Sequence, residues 1–371
     1  MLIKNASVFT PDHSFRRQDV RFDTHILETG PLAGTPDISA EDCYLIPGLI
    51  DVHTHGAVNH DFSDGSPEAM ELMSRYYASC GVTSFCATTM TLPEYTLAQA
   101  MHCIRDFRRP SDGARCVGVN LEGPFLSYEK RGAQAAFSLL LPDADMFDRL
   151  DEASGGLVKL IGVAPELPGA MDFIRRVSQK CTVSVAHSAA GYDTAMDACR
   201  SGASQVTHLF NAMKPLHHRD PGVIGAAFDS GAYAELICDG LHIHPSVIRM
   251  VFRLFGEKTL LISDSLRCAG MPDGDYELGG QPIVVKNAKA TLLDGTLAGS
   301  SISLLKAVQN AIRFGISPEQ AICAATETPA KAIGVDSELG SIEPGKLADM
   351  LLLDRQFNLI STIINGEVIH L

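Results

Sequence analysis

Short runs in which hydrophobic and polar residues alternate lie at both ends of the 371-residue chain. Such alternation is typical of strands that bury one face. The runs cover 2–9, 19–23 and 25–30 at the amino end, and 346–354 and 359–371 at the carboxyl end. We predict that the two ends pair into one small β-sandwich domain, made of residues 1–47 and 343–371. Residues 48–342 would then form a second domain inserted between them.

The middle of the chain follows a different pattern, because apolar β-type runs alternate there with helical segments. One helical segment, 66–80, has Ser66 in the N-cap position and Pro67 at the first helical position. Alternating strands and helices predict a parallel sheet, and eight such units predict a TIM-like (β/α)8 barrel of the α/β class. We assign the eight strands to 48–55, 82–89, 115–122, 158–166, 182–187, 204–209, 233–240 and 259–264.

Composition and charge narrow the class of protein. A barrel takes about 250 residues, so the length leaves room for a smaller second domain. Hydrophobic residues make up 46% of the chain and charged residues 20%, which excludes intrinsic disorder. The formal net charge of −14 argues against nucleic acid or an anionic membrane as a partner. A small anionic substrate would need a local cluster of basic residues.

Cysteine usage and hydropathy indicate where the protein resides. The ten cysteines are scattered without a CxxC pair, which is typical of reduced thiols in a cytosolic protein. The amino terminus has no cleavable apolar stretch, and no run of about 18 apolar residues occurs. We therefore expect a soluble, cytoplasmic protein.

Candidate chemistry lies where the predicted barrel strands end. Because a TIM barrel builds its active site at the carboxyl ends of its strands, we expect polar side chains there to converge. Any one of them alone is more often a hydrogen-bonded structural residue, but burying four imidazoles and two acids without a metal would be costly. This donor mixture suits a divalent transition metal. The residues are His53, His55, Glu122, His187, His208 and Asp264.

Several sequence motifs along the chain indicate a particular protein family. They resemble the N-acetylglucosamine-6-phosphate deacetylase family of the amidohydrolase superfamily, and the resemblance covers essentially the whole chain. LEGPF and THLFNAM, with their spacing, are specific to this family. The segments are 47–56 (PGLIDVHTHG), 121–125 (LEGPF), 185–190 (VAHSAA), 207–213 (THLFNAM), 219–222 (RDPG), 239–245 (DGLHIHP), 262–274 (ISDSLRCAGMPDG), 295–301 (GTLAGSS) and 343–354 (EPGKLADMLLLD).

The resemblance implies a metal-dependent hydrolase barrel and assigns roles to the candidate donors. Glu122, His187 and His208 would hold the main metal ion. His53 and His55 match a pair that, in members retaining it, helps to bind a second ion, with Glu122 as the bridge. Zinc or iron would be the metal, with manganese or cobalt as further candidates, and one or two ions would bind per subunit.

The resemblance also implies a binding site for a sugar phosphate. Its residues would be Ala133, Gln134, Asn211, Ala212, Arg219, His242, Leu297, Ala298 and Gly299. Arg219 offers a planar fork suited to a phosphate, and in the family this arginine can come from the neighbouring subunit, so we expect a homodimer. Gln134 departs from the pattern, because some relatives carry a substrate-contacting histidine there. A glutamine amide donates a hydrogen bond but carries no charge.

The implied reaction is hydrolysis of the N-acetyl group of N-acetylglucosamine 6-phosphate to glucosamine 6-phosphate and acetate. Asp264 would be the general base that takes a proton from the attacking water and passes it to the leaving amine. Alternatives within enzymes are deacetylation of another amino-sugar phosphate, such as N-acetylgalactosamine 6-phosphate, or another amidohydrolase reaction. A non-catalytic scaffold of the same fold would predict degraded metal ligands, whereas all six candidate donors are intact.

Overall fold

The structure is a computed structural model that describes residues 1–370, the last of these by its backbone alone. Its strands, in chain order, are β1 (Leu2–Thr10), β2 (Ser14–Phe22), β3 (Ile26–Gly30), β4 (Ile38–Ser39), β5 (Tyr44–Pro47), β6 (Leu49–Thr54), β7 (Gly56–Ala57), β8 (His60–Asp61), β9 (Val82–Thr89), β10 (Arg115–Leu121), β11 (Val158–Val163), β12 (Thr182–Val185), β13 (Ala203–Val206), β14 (Tyr233–Ile237), β15 (Thr259–Ile262), β16 (Gly274–Leu278), β17 (Gln281–Lys286), β18 (Lys289–Leu292), β19 (Met350–Leu353), β20 (Leu359–Ile364) and β21 (Glu367–His370).

The helices alternate with the central strands, as a parallel sheet requires. They are α1 (Pro67–Ser79), α2 (Glu94–Asp106), α3 (Ala144–Ser154), α4 (Ala170–Val177), α5 (Tyr192–Ser201), α6 (Gly222–Ser230), α7 (Pro245–Phe255), α8 (Leu304–Arg313), α9 (Pro318–Cys323) and α10 (Glu327–Ala332). Short 3₁₀ turns occur at Phe62–Asp64, Ala136–Ser138 and Gly256–Lys258. No helix in the described part of the chain combines the length and the apolar character that crossing a membrane demands.

Helix α1 shows how the local sequence sets an element. The Ser66 side chain accepts a hydrogen bond from the backbone N–H of Ala69 (3.2 Å), and proline occupies the first turn, where no N–H is needed. Met70, Met73 and Tyr77 lie on one face at helical spacing and are buried against the barrel. The predicted helix over 66–80 is confirmed to within one residue at each end.

The two chain ends share one sheet. Its order is β21-β20-β19-β5-β1-β2-β3, with β4 paired to the free part of β1. Strand β5 joins the ends, since it pairs in parallel with β1 and antiparallel with β19. The strands of the predicted β-sandwich are thus hydrogen-bonded into one continuous eight-stranded sheet. It encloses its own apolar cluster, which includes Val8, Phe22, Leu45, Met350 and Ile363.

Eight parallel strands form the central sheet, in the order β15-β14-β13-β12-β11-β10-β9-β6. Strands β6 and β15 are the two ends of this order, and the residues after α9 bridge them. The N–H of Ile50 donates to the carbonyl of Ala325 (2.9 Å), and the N–H of Leu261 donates to that of Ala324 (2.7 Å). We call this bridge the seam. The TIM-like barrel predicted from the strand count is confirmed, and its strands point their carboxyl ends toward one face.

A three-stranded antiparallel sheet, β16–β18, is inserted between β15 and α8, and the sequence analysis did not predict it. Gly279 and Gly280 form its first turn, both with positive φ, which glycine adopts without a steric penalty. Leu278 and Ile283 pack with Met90 from the end of β9 in a separate apolar cluster. This inserted sheet therefore lies over the carboxyl face of the barrel.

Candidate active site

Six side chains converge at the carboxyl face of the barrel, where each follows or ends a strand. None is more than 7% exposed. Most come from different strands, so only the closed barrel brings them together. We call them the donor cluster: His53 and His55 at the end of β6, Glu122 after β10, His187 after β12, His208 after β13 and Asp264 after β15.

Three members of the donor cluster form a first compact group. Glu122 Oε1 lies 3.1 Å from His187 Nε2 and 3.0 Å from His208 Nε2. The two Nε2 atoms are 3.1 Å apart. The three donor atoms follow three different strands and point toward the same small space between them.

The other three form a second group beside the first. His53 Nε2 and His55 Nε2 are 3.3 Å apart, and Asp264 Oδ1 lies 3.5 Å and 3.4 Å from them. Glu122 faces both groups, since its Oε1 is 3.4 Å from His53 Nε2 and its Oε2 is 3.2 Å from His55 Nε2. Its carboxylate thus lies between the two groups.

These separations fit metal coordination. Two ligands at about 2.0–2.1 Å from one ion, at a tetrahedral angle, are about 3.3 Å apart, close to the distances within each group. Two buried imidazole nitrogens that face each other cannot both present a proton, so at least one presents a lone pair. Buried nitrogen and carboxylate donors with this spacing suit Zn²⁺ or Fe²⁺. Each group could hold one cation.

Two of the histidines are anchored through the ring nitrogen that faces away from the cluster. His187 Nδ1 lies 2.9 Å from the carbonyl of Lys130, and His53 Nδ1 lies 2.9 Å from Glu235 Oε2. Such contacts fix the tautomer and the ring orientation. Glu235 is fully buried in β14 and also accepts hydrogen bonds from Gln205 Nε2 (2.6 Å) and the His208 N–H (3.1 Å). Sequence analysis missed Glu235, although an acidic residue inside an apolar strand was a usable signal.

The carboxylates and imidazoles of the donor cluster stabilise each other's charged forms when no cation lies between them. Burial opposes charge on His53, but the nearby Glu235 and Glu122 carboxylates outweigh it and raise its pKa to about 9. Burial likewise disfavours the Glu122 carboxylate, yet His53 and His187 hold its pKa well below the usual range. For Asp264, burial is outweighed by the hydrogen bond with His55 and the charge of His53, so its pKa is lowered. Both acids are therefore ionised at neutral pH.

The backbone is strained at three of the six donors. His187, His208 and Asp264 have φ of 43°, 26° and 48°, in the left-handed region that residues with side chains seldom occupy. Each comes two residues after the last residue of its strand, so the chain turns there and aims the side chain across the barrel mouth. Strain of this kind persists where the surrounding fold enforces it.

A cavity of about 270 Å³ opens onto the donor cluster. Of the predicted substrate residues, it is lined by Ala133, Gln134, Asn211, Ala212, His242, Leu297, Ala298 and Gly299, whereas Arg219 is outside it. Residues that sequence analysis missed also line it, namely Met90, Gly132, Ile237, Leu266, Leu278 and Thr296. Gly299 is required by space, because a Cβ there would lie 2.6 Å from the backbone oxygen of Asp264.

Gln134 is held from both ends of its amide. Its Nε2 donates to Glu122 Oε2 (2.5 Å), and its Oε1 accepts from the backbone N–H of Thr91 (2.9 Å). The side chain is only 3% exposed. It therefore restrains the Glu122 carboxylate, a contact that the sequence analysis did not predict.

His242 has an acceptor at each ring nitrogen. Nδ1 lies 2.7 Å from Asp239 Oδ2, and Nε2 lies 2.9 Å from the carbonyl of Ala298. Burial lowers the pKa of His242, but the Asp239 carboxylate outweighs burial and raises it overall. In its protonated form the ring donates at both nitrogens, and one of these bonds holds the loop of Leu297, Ala298 and Gly299.

Arg219 lies in an exposed loop before α6, where its guanidinium is 2.7 Å from His218 Nε2. Within residues 1–370, no lysine or arginine lines the cavity. The cavity of one chain therefore offers His242 as its cation besides the histidines of the donor cluster.

The barrel and its buried donor cluster define a class of metal-dependent hydrolases. Residues 44–369 match the amidohydrolase family, and the chain belongs to that family. The chain is 35% identical over 382 residues to the N-acetylglucosamine-6-phosphate deacetylase of Bacillus subtilis (strain 168), covering 99% of this chain and 96% of that protein. It is also 35% identical over 328 residues to the N-acetylgalactosamine-6-phosphate deacetylase of Escherichia coli O157:H7, covering 87% of each.

A solved structure is similar over the full chain. The N-acetylglucosamine-6-phosphate deacetylase of Pasteurella multocida superposes with a TM-score of 0.94 at 31% identity, covering 100% of this chain and 99% of that one. The similarity therefore includes both the barrel and the terminal sheet.

Proposed function

We propose that this enzyme hydrolyses the N-acetyl group of N-acetylglucosamine 6-phosphate, giving glucosamine 6-phosphate and acetate. The observation that carries the proposal is the donor cluster, a buried set of four imidazoles and two carboxylates beside a cavity of about 270 Å³. The full-length relative from Bacillus subtilis, named for this activity, supports the choice of substrate.

The donor cluster would hold the metal. Glu122, His187 and His208 would bind the main ion, and His53 and His55, with Asp264 beside them, would bind a second, with Glu122 between the two. Zinc or iron fits these donors, and manganese or cobalt would be further candidates. When bound, the metal supplies Lewis-acid chemistry, which makes water more acidic and stabilises negative charge that develops on the amide oxygen.

Asp264 carries the proton transfers in this proposal. Its lowered pKa keeps it ionised at neutral pH, so it can accept a proton from the attacking water. The protonated carboxyl then donates to the amine nitrogen as the C–N bond breaks, and acetate and the amino sugar leave. His55 Nε2 lies 3.4 Å from Asp264 Oδ1, so the two side chains face the same point.

Gln134 and His242 position other groups. Gln134 keeps the Glu122 carboxylate oriented through its hydrogen bond, and it offers a neutral donor where some relatives have a histidine. His242 holds the loop of Leu297, Ala298 and Gly299 against the cavity and contributes a positive charge. Stabilisation of the amide oxygen therefore relies mainly on the metal.

The phosphate would be bound by Arg219 of a second subunit. A phosphate of nearly two negative charges needs a strong cation, and the described cavity of one chain contains no arginine or lysine. The guanidinium of Arg219 is exposed, with His218 beside it, and could reach a neighbouring molecule, which makes a homodimer with shared sites the simplest arrangement.

The test is a comparative assay of acetate release. Metal-loaded protein should hydrolyse N-acetylglucosamine 6-phosphate, lose activity after chelation and regain it when Zn²⁺ or Fe²⁺ is added back. Unphosphorylated N-acetylglucosamine is the matched control and should react far more slowly. Full activity in protein verified to be metal-free would overturn the proposal.

A second candidate is the epimeric substrate N-acetylgalactosamine 6-phosphate. The Escherichia coli relative named for that reaction is as similar in identity as the Bacillus subtilis one. The same assay decides between them, because the enzyme should show the higher kcat/KM for its own epimer. A preference for the galactose form would replace the first substrate and leave the metal chemistry unchanged.

A further inference from the structure

A second group of metal-type donors lies outside the catalytic site. His13 ends the turn between β1 and β2, Cys323 is the last residue of α9, and Glu327 begins α10. His13 Nε2 is 2.6 Å from Glu327 Oε2 and 3.7 Å from Cys323 Sγ. The three donor atoms all lie within 4.8 Å of one another. Three separate elements thus bring a nitrogen, a sulfur and an oxygen to one point.

Two members of the group, His13 and Cys323, line a separate cavity of about 270 Å³. Glu257 and Glu319 also line this cavity, so its walls are acidic and favour a cation. Thr259, another wall residue, is 1% exposed, and its Oγ1 has no hydrogen-bond partner in the described structure. This hydroxyl is one further polar group beside the acidic walls of the cavity.

The separation of the sulfur and nitrogen donors fits a metal, whereas the 2.6 Å between His13 Nε2 and Glu327 Oε2 is that of a hydrogen bond. A bound ion would replace that hydrogen bond, and the two atoms would move apart to about 3.3 Å. With bond lengths of about 2.3 Å to sulfur and 2.0–2.1 Å to nitrogen, tetrahedral geometry places these atoms about 3.6 Å apart. The separation of Cys323 Sγ from His13 Nε2 matches that value. The other oxygen of Glu327 pairs with Lys331, which leaves Oε2 for the site. Contact between His13 and Glu327 alone would not require a thiol here.

We propose that His13, Cys323 and Glu327 bind a divalent cation of borderline softness such as Zn²⁺, with the fourth position open to the cavity. The Cys323 thiol is mostly buried and protonated, because burial raises its pKa to about 11, so binding would release its proton to solvent. The ion would join the first turn of the terminal sheet to two helices of the barrel. It would therefore clamp the two chain-end strands β1 and β2 onto the barrel.

This site is on the opposite side of the barrel from the donor cluster. Thr259 is the first residue of β15, whereas Asp264 follows the last residue of that strand. The two sites also differ in chemistry, since the donor cluster contains only nitrogen and oxygen ligands. A thiolate bound to a metal therefore distinguishes the second site from the donor cluster, independently of the catalytic proposal.

Cobalt substitution exploits that difference. Metal-free protein is titrated with Co²⁺ under anaerobic conditions, and the near-ultraviolet charge-transfer absorption of a cobalt-bound thiolate is recorded. We expect this absorption to saturate at one Co²⁺–thiolate per chain and to disappear on addition of excess Zn²⁺. Absence of the absorption at saturating Co²⁺ would overturn the proposal.

Substitutions of the proposed ligands test whether the Co²⁺–thiolate absorption comes from this site. Cys323→Ser should abolish it, and His13→Ala should weaken Co²⁺ binding at this site at least tenfold. Cys199→Ser is the matched control, because Cys199 is half-buried on the wall of another surface cavity and belongs to no donor group within residues 1–370. Absorption that survives in Cys323→Ser, or is lost in Cys199→Ser, would contradict the assignment. Circular dichroism and metal-dependent deacetylation check that each variant is folded.

Metal content gives a second readout. After dialysis against Zn²⁺, elemental analysis of the Cys323→Ser protein should find one ion fewer per chain than in the Cys199→Ser protein. Equal zinc content in the two variants would show that the group does not hold an ion.

Discussion

The two halves of the catalytic cavity are built in different ways. The donor cluster is complete within one chain, its six residues are at most 7% exposed, and its atoms are fixed by strands of the barrel. The opposite half, which would hold the sugar phosphate, consists of loops and the inserted sheet β16–β18, and Arg219 is outside it. In the proposed mechanism, the chemistry therefore depends on the barrel, whereas recognition depends on segments that the barrel only supports.

Removing the central acid of the donor cluster should have the largest effect. Glu122→Gln takes away the one carboxylate of the donor cluster that contacts both groups in the described structure, so we expect loss of bound metal and activity below detection. Elemental analysis and the acetate assay measure these outcomes. Glu166→Gln is the matched control, since Glu166 bonds to Ser188 and not to the cluster. A metal content equal to that of the native protein would contradict the assigned role of Glu122.

Replacing the proposed general base should cause the second-largest loss of activity. Asp264→Asn removes the basic carboxylate, and we expect kcat to fall by roughly 10²–10⁴-fold, the usual contribution of general acid–base catalysis. KM and the ion held by Glu122, His187 and His208 should be retained. Steady-state kinetics with metal analysis decides this. A variant with near-native kcat would exclude Asp264 from the proton transfers.

The recognition half is tested by Arg219→Ala. Loss of a charge-assisted contact should raise KM for the phosphorylated sugar by roughly 10- to 100-fold. It should have far less effect on unphosphorylated N-acetylglucosamine, which serves as the internal control.

Mixing two variants tests whether Arg219 acts across subunits. Asp264→Asn and Arg219→Ala chains should together regain activity, because a mixed dimer has one site with both native residues. Subunit exchange is first shown independently with labelled chains. Exchange without recovery of activity would place Arg219 in its own chain or outside the mechanism.

The anchoring of His53 should matter less than the donors themselves. Glu235→Gln removes the carboxylate that orients the His53 ring. Loss of a residue that hydrogen-bonds to a metal ligand typically lowers metal affinity by about 10- to 100-fold. Competition with a chromophoric chelator measures it. Gln205→Ala is the control, because it removes another partner of Glu235 and leaves the His53 contact intact. Equal affinity in both variants would contradict the positioning role.

The smallest expected effect concerns the charge of His242. Its pKa is raised, so the positive charge is present below that pKa and lost only as pH rises through it. Asp239→Asn removes the main cause of the rise, so the charge should be lost nearer the ordinary value of about 6.5. KM for the phosphorylated sugar should therefore increase severalfold at a lower pH than in the native enzyme. Identical pH profiles of KM would exclude a role for this charge.

All six candidate donors come together in the structure, and eight of the nine predicted substrate residues line the cavity. Residue type and position relative to a strand end were enough to identify all six members of the donor cluster. The predicted strands at 182–187, 204–209 and 259–264 extend too far, because the chain leaves the strand for a left-handed turn at or before the donor, as at His187. An apolar run does not reveal such a turn.

Other features needed the folded chain. Glu235 was missed because a single acidic residue in an apolar run does not indicate which imidazole it will meet. The inserted sheet was missed because its short alternating runs follow no βα pattern, although the Gly279-Gly280 turn marked its first hairpin. The contact of Gln134 with Glu122 depends on where a loop lies in space, which spacing along the sequence does not encode.

The seam of the barrel has a consequence for biosynthesis. A nascent chain that ends before Ala324 has all eight barrel strands but leaves the edges of β6 and β15 without their bridge. Strand β5 likewise lacks its hydrogen-bonded neighbour until β19, about 300 residues later in the sequence, has been synthesised. Contacts this distant in sequence form slowly, and open parallel-sheet edges are sites of aggregation. We therefore expect folding on the ribosome to finish only after strands β19–β21 have emerged, so that nascent chains depend on chaperones until then.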